Sequence, residues 1–139
     1  MEYQSANEKD TESIAATLAQ SAQPGDIFCL NGPLGAGKTA FARGFIRALT
    51  GNDTDVPSPT YTLVQTYDTP RGAVWHFDLY RMVSPAEVLE TGWDDALADG
   101  ICLIEWPGRA GPYLPRRRTD VDISSGKDNA RSIKVTTHE

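Results

Sequence analysis

At 139 residues the chain has length for one compact core but not for two, and with a net charge of −6 and a pI near 4.8 it is a poor candidate for broad electrostatic attachment to nucleic acid or an anionic membrane. No apolar run approaches membrane-spanning length, Met1-Glu2-Tyr3-Gln4 does not resemble a signal peptide, and the two cysteines, Cys29 and Cys102, both sit inside apolar runs. A cytoplasmic protein with reduced, buried thiols is expected.

In chain order, a first helix is expected from about Asn7 to Ala22, with Ile14, Ala15, Leu18 and Ala19 as its apolar stripe and Thr11 in its first turn. Ile27-Phe28-Cys29-Leu30, entered through Pro24-Gly25-Asp26, reads as a buried strand. Next comes Gly32-Pro33-Leu34-Gly35-Ala36-Gly37-Lys38-Thr39, which satisfies G-x-x-x-x-G-K-[ST]. Glycine is needed where the backbone curls so that successive N–H groups point inward at phosphate oxygens. Lys38 would neutralise the outer phosphates, and Thr39 would offer its hydroxyl to Mg²⁺ at a helix N-terminus that carries partial positive charge. Phe41, Ala42, Phe45, Ile46 and Leu49 then recur at helical spacing, with Arg43 and Arg47 opposite and Gly51-Asn52 as a stop. Strand, loop and helix in this order argue for a bound nucleoside triphosphate over a plain glycine turn.

Val56-Pro57-Ser58-Pro59-Thr60 is a stiff loop in which Thr60 either reaches the γ-phosphate region as a switch does or belongs to an ordinary proline turn. Tyr61–Tyr67 and Ala73–Tyr80, separated by the turn cluster Asp68-Thr69-Pro70-Arg71-Gly72, predict a hairpin. On its second strand Trp75, Phe77 and Leu79 face one way and His76, Asp78 and Tyr80 the other. That polar face is either a solvated surface or the lining of a site. Phosphoryl transfer to water needs a group that orients or deprotonates the nucleophile, and Asp78 is the best-typed candidate.

Ser84-Pro85-Ala86-Glu87 has the form of a helix start, and short helical pieces are expected through Leu97. Ile101-Cys102-Leu103-Ile104 predicts a second buried parallel strand that ends in Glu105-Trp106-Pro107-Gly108. Glu105 is either a surface acid at a strand end or a carboxylate presented to a metal, and Trp106 either closes the core or covers a nucleotide. Arg116-Arg117-Arg118 reads as a solvated basic stretch with partner contact as the alternative. Val121 and Ile123, then Ile133 and Val135, alternate about a Ser125-Gly126-Lys127-Asp128 turn and suggest a closing hairpin. The expected fold is α/β: residues 1–139 as a single P-loop NTPase-like domain, a mixed sheet with a parallel core and antiparallel hairpins, flanked by helices.

The segments Leu30–Thr39, Val56–Val64, His76-Phe77-Asp78-Leu79-Tyr80-Arg81 and Leu103-Ile104-Glu105-Trp106-Pro107 together resemble the TsaE family, the P-loop ATPases of bacterial tRNA threonylcarbamoyladenosine biosynthesis. Pro33 departs from the family pattern, which has Asp or Asn there; it removes one outer N–H and leaves the inner donors intact. The resemblance implies that Thr39 and Glu105 bind Mg²⁺, that Asp78 is needed for hydrolysis with Lys38, and that Ser58–Thr60 is a nucleotide-sensing switch. It places Thr11 and Arg131 near the adenine end and Gly32, Leu34, Gly35, Ala36, Gly37, Lys38, Thr39 and Thr60 around ATP or ADP. It further implies work with TsaB and TsaD, contact with tRNA only through that complex, and no transfer of the threonylcarbamoyl group by this protein. A nucleotide-gated adaptor, in which ATP binding and not hydrolysis controls docking, is the alternative. A small-molecule kinase lacks a convincing acceptor or lid segment, and a GTPase lacks an N-K-x-D pattern.

Overall fold

The computed structural model describes residues 1–35 and 37–139. In chain order the elements are β1 (Glu2–Ser5), α1 (Glu8–Ala19), β2 (Ile27–Asn31), α2 (Lys38–Thr50), β3 (Val64–Thr69), β4 (Gly72–Asp78), a 3₁₀ segment (Pro85–Thr91), α3 (Trp93–Asp99), β5 (Ile101–Glu105), a second 3₁₀ segment (Pro107–Tyr113), β6 (Arg118–Ser125) and β7 (Arg131–His138). They build a seven-stranded sheet in the order β1-β7-β6-β2-β5-β4-β3. The inner strands β6, β2, β5 and β4 run parallel, and β1, β7 and β3 add to the two sides antiparallel. The apolar runs of β2 and β5 are buried because helices cover both faces of these central strands.

Alternation along each strand divides the core in two. Phe28 and Leu30 of β2 and Ile101 and Leu103 of β5 pack with Phe41, Phe45 and Ile46 of α2 and Ala15 and Ala19 of α1. On the other face Ile27, Cys29, Cys102 and Ile104 meet Phe77, Trp93 and Val88. Glu105 shares its side of β5 with Ile101 and Leu103, so the strand delivers it to the α2 face. Val74 of β4 also belongs to that face, which sends His76 and Asp78 there too.

Five points differ from expectation. The first helix is regular only to Ala19; the chain continues to Ala22 in tightened turns, with Gln20, Ser21 and Ala22 N–H groups donating three residues back. The first hairpin strand starts at Val64, because residues 59–63 close a turn in which the Leu63 N–H reaches the Pro59 carbonyl at 2.8 Å. Both hairpin strands press into the expected turn cluster and leave Pro70-Arg71 as the connection. β1 was not anticipated: four residues are too few for a periodic signal, and the strand exists because Tyr3 pairs with Ile133 on β7. Arg118, expected in a solvated basic stretch, instead opens β6 half-buried, with Nε 3.2 Å from Asp120 Oδ1.

Candidate functional site

The loop after β2 is shaped by left-handed glycines: Gly35 has φ 78° and Gly37 φ 103°, conformations strained for any residue with a Cβ. Ala36, expected to touch phosphate, lies outside the described residues. α2 starts directly on the loop, with the Phe41 N–H bonded to the Gly37 carbonyl at 2.9 Å. Its first N–H groups therefore face the loop mouth.

A cleft of about 570 Å³ opens there, and Thr11, Leu34, Gly35, Gly37, Lys38, Thr39, Thr60, Asp78, Glu105 and Arg131 all line it. Gly32 does not; it borders a shallow neighbouring depression with Asn31 and Asp122 and meets the site through its carbonyl, which accepts from Lys38 Nζ. Leu34 stands exposed at the rim. Thr11 is buried with its hydroxyl 2.8 Å from Ser5 Oγ, and the Arg131 guanidinium lies against the loop, donating to the Gly35 carbonyl at 3.1 Å.

At the deep end the side chains of β4, β5 and α2 converge. Asp78 and Glu105 are register partners on adjacent parallel strands, only 5 % and 3 % exposed. Thr39 Oγ1 lies 3.3 Å from each oxygen of Glu105. Asp78 Oδ2 accepts from Thr60 Oγ1 at 3.0 Å, and Oδ1 accepts from the Tyr80 N–H at 3.1 Å. Ser58 Oγ lies 2.7 Å from Thr60 Oγ1, so the proline-stiffened loop is tied to β4. His76 and Asp78 are thus no solvated surface, since β4 lies inside the sheet and both are buried, whereas Tyr80 falls beyond the end of β4 and is exposed at the cleft.

Lys38 is buried, with Nζ held by the Gly32 and Pro33 carbonyls and 3.7 Å from the centre of the Trp106 ring. Burial lowers its pKa from the usual lysine value; the nearby Glu105 and Asp78 charges oppose that. Trp106 itself takes a left-handed conformation, φ 58°, turning the chain away just before Pro107. It is half-buried, so neither simple core closure nor free cover describes it: its ring packs against Tyr80 at 4.9 Å and faces the ammonium.

The oxygen donors fit Mg²⁺. Among the described residues no group of three or more His, Cys, Asp or Glu side chains forms a metal cage, and Mg²⁺ is ordinarily held by one or two protein oxygens together with substrate phosphates and water. A hydroxyl facing a carboxylate at the start of α2, where the glycine loop ends, is that kind of partial donor set.

Sequence reasoning did not single out His76, whose Nε2 lies 2.7 Å from Glu105 Oε2, although its position on the polar face of β4 was a signal. It also passed over Arg43 and Asn129, which line the cleft. Arg43 reaches it from α2 and pairs with Glu8 and Glu12 of α1, a tertiary placement that spacing along α2 does not reveal.

Comparison with known proteins gives a consistent answer. The family described as "Threonylcarbamoyl adenosine biosynthesis protein TsaE" matches residues 5–133. The tRNA threonylcarbamoyladenosine biosynthesis protein TsaE of Rickettsia typhi is 46% identical over 129 residues, covering 93% of this chain and 90% of that protein. The protein of the same name from Rickettsia felis is 41% identical over 132 residues, 95% of this chain and 77% of that one. The crystal structure of Bacillus subtilis YdiB superposes with a TM-score of 0.78 at 32% identity, covering 99% of this chain and 84% of that chain.

Proposed function

This chain belongs to the TsaE family, and from that premise we propose that Lys38, Thr39, Asp78 and Glu105 carry its Mg²⁺-dependent hydrolysis of ATP. Its function is that of the family: an ATPase in the formation of threonylcarbamoyladenosine on tRNA, together with TsaB and TsaD. No helix among the described residues is long and apolar enough to cross a membrane.

The observation that carries the residue-level reading is the Thr39 hydroxyl 3.3 Å from both Glu105 oxygens, beside Asp78 on the next strand. In this reading the N–H groups of the loop and of the first turn of α2 bind the phosphates, and Lys38 adds its charge to them. Mg²⁺, when bound, offsets negative charge on the outer phosphates. Thr39 and Glu105 would hold that ion. Asp78 orients or deprotonates the attacking water, and Thr60 fixes the rotamer of Asp78. Thr11 and Arg131 border the end of the cleft assigned to adenine, with tRNA met only through the complex with TsaB and TsaD.

The test is ATP turnover by the protein alone and with TsaB, TsaD and tRNA, for the native chain and Asp78→Asn. Expected are slow turnover alone, stimulation in the complete mixture, and a loss on the order of 100-fold in the variant with ATP binding retained. An unchanged rate in Asp78→Asn removes that residue from its role. If the variant loses hydrolysis yet supports full tRNA modification over many cycles, ATP binding alone drives the work and the adaptor reading replaces this one.

A further inference from the structure

His76 has no role in the reading above. It lies in β4 on the face turned to α2 and is wholly buried. Its Nε2 is 2.7 Å from Glu105 Oε2, and its Nδ1 has no hydrogen-bond partner among the described residues. An ionised carboxylate only accepts, so Nε2–H is the donor. An imidazole buried with one nitrogen unpartnered costs stability that an aliphatic side chain at the same position would not. Core packing alone therefore does not account for it.

What His76 does control is the orientation of one carboxylate. Thr39 Oγ1 stands at equal 3.3 Å distances from the two Glu105 oxygens and alone would leave the group free to rock about its last torsion. The short bond to Oε2, made from the neighbouring strand, removes that freedom. We propose that His76 is a positioning residue that fixes the Glu105 carboxylate toward Thr39, and so sets the affinity of the site for the divalent cation and not for the nucleotide itself. The inference rests on the reading of Glu105 as a Mg²⁺ ligand. Partners of this kind, behind a metal ligand, typically change metal affinity or activity by about 10- to 100-fold.

The experiment follows mant-ATP fluorescence while Mg²⁺ is titrated, repeats the binding in EDTA, and measures Mn²⁺ by electron paramagnetic resonance. It compares the native protein with H76F, H76L, H76Q and E105Q. His76→Phe and His76→Leu remove the donor; His76→Gln places an amide N–H near the position of Nε2. The donor-free variants should raise the Mg²⁺ and Mn²⁺ midpoints by about 10-fold or more, leave ATP affinity in EDTA within about twofold, and be rescued by His76→Gln. Adding His76→Phe to E105Q should produce no further shift. If E105Q moves the midpoint while the donor-free variants do not, the inference is overturned and the reading of Glu105 stands. Equal shifts in H76Q and H76F also overturn it, since the ring and not the donor would then matter. If E105Q itself leaves the midpoint in place, the metal reading of Glu105 falls and the role of His76 falls with it. Should His76→Phe not fold, His76→Leu carries the same comparison.

Discussion

Thr60 Oγ1 donates to Asp78 Oδ2 at 3.0 Å, which ties the loop between α2 and β3 to a carboxylate at the end of β4. The remaining oxygen of Asp78 is engaged by the Tyr80 N–H, so this carboxylate has little rotational freedom. Thr60→Val keeps the volume and removes the donor. A hydrogen bond to a charged group contributes about 1.5–3 kcal/mol, so ATP turnover should fall by about 10-fold or more while ATP affinity holds within about twofold. Turnover at the native rate in Thr60→Val would show that the tether does not matter to Asp78.

The protonation of Lys38 gives a pH prediction. Burial lowers its pKa and the Glu105 and Asp78 carboxylates raise it again. If the charged ammonium binds phosphate as proposed, the Lys38 contribution to ATP affinity is present below its folded pKa and lost as pH rises through it. That loss should come below the pH at which an ordinary lysine, near 10.5, gives up its proton. Glu105→Gln removes the larger opposing charge, and the alkaline loss of affinity should move to still lower pH. ATP binding measured in EDTA from neutral to alkaline pH isolates this from metal binding. A limb that moves upward in Glu105→Gln would contradict the electrostatic account.

Those residues differ in how far sequence alone exposed them. The placement of Lys38 and Thr39 at the mouth of the cleft was legible because the phosphate-loop pattern is contiguous, with glycines at fixed offsets before a helix. Asp78 and Glu105 were legible as acids at the ends of apolar strands, but their adjacency is a property of sheet order. Nothing in the chain states that β4 and β5 are neighbours in parallel register. The same holds for His76, whose partner lies twenty-nine residues away, and for β1, which forms only because β7 offers it an edge. Trp106 stayed open between core and cover because it does part of each, packing against the core while its ring is turned to Lys38. Hydrophobicity does not distinguish a ring buried on both faces from one whose face is turned to an ammonium.

The packing of α1 on α2 depends on Gly44. A Cβ built there would fall 2.8 Å from the carbonyl carbon of Glu12 and closer still to its oxygen and Cα. Alanine in a helix interior ordinarily gains about 1 kcal/mol over glycine. Here the obstacle is backbone, which cannot rotate away as a side chain would, and overpacking of this kind costs about 1–3 kcal/mol or more. The clash should outweigh the propensity gain, and Gly44→Ala should melt several degrees below the native protein, at roughly 2–4 °C per kcal/mol. Thermal unfolding followed by circular dichroism decides this; a higher melting temperature would mean that α1 yields easily.

Cys29 and Cys102 lie on neighbouring strands in the core face away from α2, both as free thiols and both fully buried. Burial pushes each pKa up from 9.0 to about 12, with the Asp120 charge adding to the effect at Cys29. A thiol is neutral when protonated, so the folded chain holds these protons where the unfolded chain releases them. The resulting stabilisation is fully present below the unfolded value near 9.0 and is lost progressively as pH rises toward about 12. One unit above the unfolded value the loss amounts to roughly 1 kcal/mol or a little more for each thiol. Urea unfolding at pH 8 and pH 10 should therefore show a drop in stability for the native protein that is about 2–3 kcal/mol smaller in Cys29→Ala/Cys102→Ala. The comparison cancels the contributions of lysines and tyrosines common to both chains. Equal drops would mean that the thiols ionise in the folded state as readily as in the unfolded one, and rapid reaction of the folded protein with a thiol reagent at pH 8 would show the same thing directly.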